Sequence, residues 1–355
     1  MDNRCSDRRD VPGEPGFEVL RHAVQCNCHI SDARHAADFS LCIYLLKMRE
    51  FYRWEQGIGL TETLPREAVG AWLSERESLW DDLLEAAYAP LPVFRQRIDP
   101  FDDAAINARL RPHGLIYGGG LGAGGKPLFF LGTLQRAERR DGLDVVVVAD
   151  EHARDLAAPP AMLRDGQITV RRESLRRVLW ERIEAWQWRK RDPRLGALLD
   201  DYGFDDDPDG ALERITEHEI ETVILHELGE ARAGARLGPD WERMLGDLGR
   251  SRGEAYARAV RDHLADCLTT LPELIGRDDR PALQLYLAGL DGPRRTLFPA
   301  LAACDAGDAK RLGQVVAIGA QHWSAVAGAL LALWREGGEN RGAAIAARAE
   351  AAALH

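Results

Sequence analysis

His113–Asp155 reads HGLIYGGGLGAGGKPLFFLGTLQRAERRDGLDVVVVADEHARD, and its texture differs from everything around it. Short apolar runs alternate with glycine-bearing turns, the pattern of strands joined by tight connections. Strands are expected at Leu115–Tyr117, Pro127–Leu134 and Leu143–Ala149, with a fourth at Gln167–Arg171 beyond the Pro159-Pro160 turn. No helix intervenes between them, so the sheet is expected to be mostly antiparallel.

Outward from this stretch the periodicity becomes helical. SDARHAADFSLCIYLLKMREFYRWE (31–55) reads as one long helix with Ser31 or Asp32 near its N-cap, and a second helix follows Pro65 and ends before Pro90. From Glu173 helices are expected over 173–190, 211–236 and 252–270, then shorter ones to the end, without a fixed repeat. The expected fold class is α+β, mostly helical, with a small antiparallel sheet inserted near residues 113–172. Five segments follow: a disordered polar tail (1–16), a helical part with a Cys/His segment (17–100), the sheet (101–172), a helical part (173–275) and a C-terminal helical part (276–355).

Two motifs inside this frame are set aside. GLGAGGK (120–126) satisfies the letters of a phosphate-binding loop, but Pro127 follows and PLFFLGTL reads as a strand. Such a loop needs a helix N-terminus facing the phosphate, so a hairpin tip is the better reading. DDDPDG (205–210) resembles the opening of a calcium loop, but Thr216 stands where the closing glutamate belongs and Pro208 interrupts the loop. It reads as an acidic cap for the helix after it.

The chain has 355 residues, 45% hydrophobic and 29% charged, enough for two or three cooperating subdomains of a soluble type. A formal net charge of −11 argues against nucleic acid or an anionic membrane as the main partner. The start of the chain is polar, and the longest late apolar run, Ala325–Trp334, is about half of a bilayer span, so no membrane insertion is expected. A cytoplasmic setting follows, with the six cysteines reduced unless they bind metal or do redox work.

ETVILHELGEARAG (221–234) carries the most specific chemical pattern. A helical H-E-x-x-H sets two histidines one turn apart on zinc, with the glutamate as general base; here Glu230 stands in place of the second histidine. At 100° per residue, Glu219 and Glu230 fall within about 40° of His226, on the stripe of Leu212, Ile215 and Ala233. Glu227 lies with Ile220, Ile224, Leu228 and Ala231, while Arg214, His218, Glu221 and Arg232 take the solvent side. Inward carboxylates must be paired, protonated or metal-bound. Arginines, for instance from RRESLRR (171–177), are one solution, and a metal is the other. Two further helices repeat the pattern: His263 with Asp266 and His35 with Asp38, each acid one turn on, as in metal sites built on helical bundles.

QCNCHISDARHAADFSLC (25–42) gathers Cys26, Cys28, His29, His35 and Cys42. A C-x-C pair can chelate one ion; small buried thiols at a helix entrance are the plainer reading, and a Cys26 or Cys28 nucleophile activated by His29 is a weaker third.

CNCHISDARHAADFSLCIYLLKMREFYRWE, PPAMLRDGQITVRRESLRR, ILHELGEARAG and DHLADCLTTLP together resemble an uncharacterised family of bacterial proteins, from about residue 20 to at least residue 275. That resemblance carries no catalytic residues. A looser one, confined to HELGE and the order of sheet then helix, is to zincin metallopeptidases.

Two functional expectations stand. One is a metal-dependent enzyme of unknown substrate with His226 and Glu230 as ligands, Glu219, His263 or the Cys26, Cys28, His29 and His35 set as further candidates, and Glu227 as catalytic base. Zinc would make it a hydrolase; iron would make it an oxidoreductase, and a carboxylate-rich set leans toward iron or manganese. The other is a non-catalytic helical interaction or assembly protein with buried salt-bridge networks, acting on a protein partner.

Overall fold

The structure, a computed structural model, describes residues 16–122, 125–188, 192–338 and 340–355. Apart from Gly16, the tail expected at 1–16 lies outside the described residues, as do parts of the 120–126 tip and the last two residues of the 173–190 helix.

The chain opens with α1 (Phe17–His35), α2 (Leu41–Glu55) and α3 (Arg66–Leu83). A small hairpin, β1 (Leu91–Val93) and β2 (Gln96–Ile98), and α4 (Asp103–Leu110) lead into β3 (Leu115–Leu121), β4 (Pro127–Arg140), β5 (Leu143–Arg154), β6 (Ala161–Arg164) and β7 (Gln167–Arg171). Then come α5 (Arg172–Trp188), α6 (Pro193–Asp201), α7 (Pro208–Leu237), α8 (Pro239–Leu248) and α9 (Arg252–Ala265). A π-helical turn (Asp266–Thr270) joins α9 to α10 (Leu271–Gly276), followed by α11 (Arg280–Ala288), α12 (Gly292–Leu297), α13 (Pro299–Ala302), α14 (Ala309–Glu336) and α15 (Arg341–Glu350). The fold is α+β: a five-stranded sheet in the order β3-β4-β5-β7-β6, set in a mainly helical chain.

β3 and β4 pair antiparallel from Leu115 opposite Thr133 to Leu121 opposite Pro127, and β6 and β7 are a second antiparallel pair. The 120–126 segment is therefore a hairpin connection, with the Gly122 N–H donating to the Lys126 carbonyl and no helix following. Gly118 and Gly119, which suggest a turn, lie inside β3. A Cβ on Gly118 would stand 2.1 Å from the Phe130 ring, and one on Gly119 would stand 2.2 Å from the Pro100 carbonyl. Close approach explains these glycines.

The single helix expected over 31–55 is two. α1 already runs from Phe17 to His35, a short 3-10 turn covers 36–38, and α2 starts after the extended Ser40. Ser31 and Asp32 are buried mid-helix, not capping. Ser31 Oγ donates to the Pro127 carbonyl, and Asp32 Oδ1 accepts from the Leu156 N–H at 2.9 Å. Bonds to distant backbone replace the local cap that these residue types favour. The acidic loop at 205–210 does cap: Asp207 accepts from the Gly210 N–H at 3.0 Å at the start of α7.

Two compact units divide the chain. The first holds residues up to 138, 146–160 and 171–178. Its core packs Leu20, Val24 and Cys28 of α1 with Ile106 and Leu110 of α4 and Tyr117, Phe129 and Leu131 of the sheet. The second holds 139–145, 161–170 and 179–355, and is built on α7, α9, α14 and α15 around Trp241, Phe298 and Trp323. α14 is long and apolar enough to cross a bilayer by length and composition, which the sequence reading did not anticipate. One face of it, through Leu312, Val316, Trp323, Ala327 and Leu330, packs into this core.

Candidate metal centre

α7 and α9 meet closely in the second unit, and the local sequence explains how. A Cβ on Gly229 would lie 2.5 Å from the Ala265 carbonyl oxygen, so the glycine of HELGE lets the two backbones touch. Pro272 sits in the helical run that continues α9 and has no N–H to give. The π turn at 266–270, one turn upstream, accommodates that defect and widens the helix where Asp266 projects.

On this contact His226 Nδ1 pairs with Asp266 Oδ1 at 2.7 Å, and its Nε2 looks toward Glu230 Oε1 at 3.7 Å. Donor atoms of His226, Glu230 and Asp262 lie within 4.8 Å of one another. Asp266 is fully buried and heavily bonded: Thr270 Oγ1, the Tyr286 hydroxyl and Arg294 Nη2 donate to it at 2.9, 2.8 and 2.5 Å. Burial works to raise its carboxyl, but His226 and Arg294 outweigh that and hold it well below the usual carboxylate range. His226 is the counterpart. Burial works to lower its imidazole, and Asp266 pushes it up to about 10. The carboxylate thus fixes the ring's orientation through Nδ1 and leaves Nε2 to face the acids, the arrangement of histidines backed by a carboxylate in metal sites.

Arg261 competes for the same acids. Its Nη2 lies 2.6 Å from Glu230 Oε1 and 3.7 Å from Asp262 Oδ1. Glu227 is buried beside this group, and burial with the Glu230 charge raises its carboxyl to about 7. Glu219 stands apart from the trio. It is buried, receives a hydrogen bond from Thr222 Oγ1, and is raised to about 7 by burial against the partial relief of Arg182. Arg261 of α9 meets Glu230, and Arg182 of α5 acts on Glu219.

His263 points elsewhere. It stacks on Trp323 at 5.1 Å, meets Phe298 edge-on, and pairs through Nε2 with the Arg294 carbonyl at 2.8 Å. Burial holds it down to about 4, a neutral core imidazole. Asp262, one residue earlier, is the member that sequence reading missed. The i,i+4 spacing Asp262–Asp266 was visible, but only the contact with α7 selects it.

The Cys/His segment lies in the first unit and is not gathered into one site. Cys26 and Cys28 are on α1, two residues apart and so on different faces. Cys28 Sγ donates to the Phe129 carbonyl at 3.2 Å, and burial pushes its thiol well up, which leaves it protonated and unreactive. Cys26 Sγ lies 3.5 Å from His22 Nε2. His29 is held by Arg76 Nη1 at 2.7 Å and by the Trp80 indole, with burial lowering its imidazole. His35 pairs with Asp38 at 3.5 Å on a third-exposed surface.

The first unit also has a charged core that sequence reading did not find. Arg171 clamps both Glu151 oxygens at 3.0 and 2.9 Å, and Ser174 Oγ adds 2.6 Å. Burial opposes the Glu151 charge, but Arg171, Arg154 and Ser174 hold its carboxyl below the ordinary value. The signal available was an arginine closing a strand, which alternation alone would place at random.

Comparison with curated proteins gives no match, and comparison with solved structures gives none. The zincin likeness accordingly has no support beyond the letters of HELGE. Two domains of one family do match: residues 19–171 match the N-terminal domain, and residues 176–352 the C-terminal domain, of a family of unknown function, DUF6866. Between them the matches span nearly all of the described chain, and the protein belongs to the DUF6866 family.

Proposed function

We propose that His226, Glu230 and Asp262 hold a divalent metal ion and that the protein is a metal-dependent enzyme. The observation that carries this reading is the Nδ1 bond from His226 to a fully buried, fourfold-bonded Asp266, which presents Nε2 to two carboxylates. Metal–ligand lengths near 2.1 Å put donor atoms within about 4 Å of each other, so the trio needs to close by less than ~1 Å. One imidazole with two carboxylates suits iron or manganese better than zinc. Glu227, next to His226 and buried, is positioned to take a proton from bound water in a hydrolytic reaction; with iron the same set suits redox chemistry.

The competing reading is a non-catalytic helical interaction protein in which Arg261 neutralises Glu230 and Asp262. Elemental mass spectrometry on untagged protein separates the two. The metal reading expects near-stoichiometric metal in the wild type, lost in Asp262→Asn and His226→Ala and kept or increased in Arg261→Gln. No metal in the wild type after reconstitution with manganese, iron or zinc would leave the ion-pair network as the function of these residues.

A further inference from the structure

His218, on the solvent side of α7, is committed at both ring nitrogens. Its Nε2 lies 2.8 Å from each oxygen of Asp279, and its Nδ1 lies 2.8 Å from the Tyr202 hydroxyl. A carboxylate can only accept, so in the neutral ring Nε2 carries the hydrogen and donates it to Asp279. Nδ1 is then a lone pair, and the Tyr202 hydroxyl donates to it. The order is hydroxyl, base and orienting acid, the arrangement that activates a hydroxyl nucleophile. The His218 and Asp279 side chains are 33% and 23% exposed and Tyr202 is half-buried, so solvent reaches the group.

Three elements of the second unit hold it. Tyr202 ends α6, with its N–H donating to the Leu198 carbonyl at 3.1 Å and its own carbonyl accepting from Arg214 Nη2 at 2.8 Å. His218 stands one turn beyond Arg214 on α7. Asp279 caps α11 by accepting from the Ala282 N–H at 3.2 Å, which fixes its carboxylate in front of His218. Burial, Asp279 and Glu219 hold the Tyr202 phenol above its ordinary value against the pull of Arg214, so at rest the hydroxyl keeps its proton. A structural tie between helices needs one such bond. Two in series, running from a hydroxyl through an imidazole to a carboxylate at the solvent edge, form a proton relay.

We propose that Tyr202 and His218 are the catalytic residues of an acyl-transfer site that takes a small uncharged ester. As Tyr202 Oη bonds to the acyl carbon, its O–H bond breaks and the proton passes to His218 Nδ1. The ester C–O bond then breaks, and the alcohol leaves with that electron pair and that proton. Water attacks the tyrosyl ester next, giving a proton to Nδ1; that proton leaves on the Tyr202 oxygen and a carboxylic acid is released. Asp279 is a positioning residue that keeps Nδ1 turned toward the hydroxyl. Phosphate esters are disfavoured, because Asp205, Asp206 and Asp207 follow Tyr202 closely and Asp207 lies 3.6 Å from Arg214. The site shares no residue with the metal centre and does not depend on that reading.

Mixing the full chain with p-nitrophenyl acetate tests this, with p-nitrophenolate release followed by absorbance and acetylation mapped by peptide mass spectrometry. A burst is expected together with an acetyl group on Tyr202, formed about tenfold or more faster than on N-acetyltyrosinamide under the same conditions. Tyr202→Phe should remove that adduct, and His218→Gln should slow its formation by about 100-fold with circular dichroism unchanged. Asp279→Asn keeps an oxygen for the Ala282 N–H and should slow acetylation about tenfold or more, with the half-saturating ester concentration unchanged. If His218→Gln unfolds, Asp279→Asn carries the test of the relay. No acetyl on Tyr202, acetylation there no faster than on the free amide, adducts confined to exposed Cys42 or to lysines, or an unchanged Tyr202 rate in the folded relay variants would overturn the proposal.

Discussion

In the first unit Glu151 gives both oxygens to Arg171, at 3.0 and 2.9 Å, and receives Ser174 as well, with neither Glu151 nor Arg171 exposed. In the second, Glu230 meets Arg261 through one oxygen at 2.6 Å, is 20% exposed, and leaves His226 Nε2 at 3.7 Å. The first arrangement is closed on the carboxylate: three donors fill its two oxygens, Arg171 Nη1 has no hydrogen-bond partner and lies 3.9 Å from Asp155 Oδ2, and no solvent can replace a lost partner. The second can be rearranged by rotating one carboxylate. A closed pair fixes structure, whereas an adjustable cluster can exchange partners, and this is why the metal reading is placed on Glu230 and not on Glu151.

That contrast has measurable consequences. Glu151→Ala strands Arg171 in the core and is expected to cost about 3–5 kcal/mol in urea unfolding, while Glu230→Ala should cost about 1 kcal/mol or less. Equal costs would break the distinction between closed and adjustable clusters.

Next in size is a pH effect. The folded-state carboxyl of Glu219 is raised from 4.5 to about 7, chiefly by burial. A raised group binds its proton more tightly in the folded state, so its contribution is fully present below about 4.5 and is lost as pH rises through 7. The unfolding free energy of the wild type should therefore fall across this window by about 3 kcal/mol more than that of Glu219→Gln. Parallel curves for the two proteins would remove Glu219 from the account.

Gly229→Ala drives a methyl into the Ala265 carbonyl and should cost about 1–3 kcal/mol by thermal melting. Gly234→Ala, on the same helix with nothing within 4 Å of the new carbon, should instead stabilise by about 0.5–1 kcal/mol. The smallest effect is kinetic. A thiol reagent should label exposed Cys42 quickly in the native protein and leave buried Cys28 unlabelled until unfolding. Fast labelling of Cys28 would show that the packing of α1 on the sheet opens readily.

Much of the fold was legible. Val145–Val148 read as a strand core, and all four are at most 1% exposed. The helical wheel for α7 placed Glu219 and Glu227 inward and Arg232 outward, as their burial shows. The break after His35 was not legible, because Ser31 and Asp32 carry a helix-start signal that their bonds to Pro127 and Leu156 override. The candidate site was half legible. Glu230 and His226 lie one turn apart on one helix, so spacing alone joins them. Asp262 is 32 residues beyond Glu230 in the chain, and nothing in local pattern distinguishes it from His263, which faces Trp323 instead.

The sequence by itself determined what depends on near neighbours: the α+β class, the stripe on α7, the hairpin at 120–126 and the Asp207 cap. Tertiary structure decided what depends on partners far along the chain. It chose which nitrogen of His226 is committed to Asp266, which arginine reaches Glu230, and which hydroxyl and carboxylate meet at His218. Period and propensity follow from backbone geometry within a few residues, but the ionisation and orientation of a buried charge follow from whatever distant group is packed within a few ångströms of it.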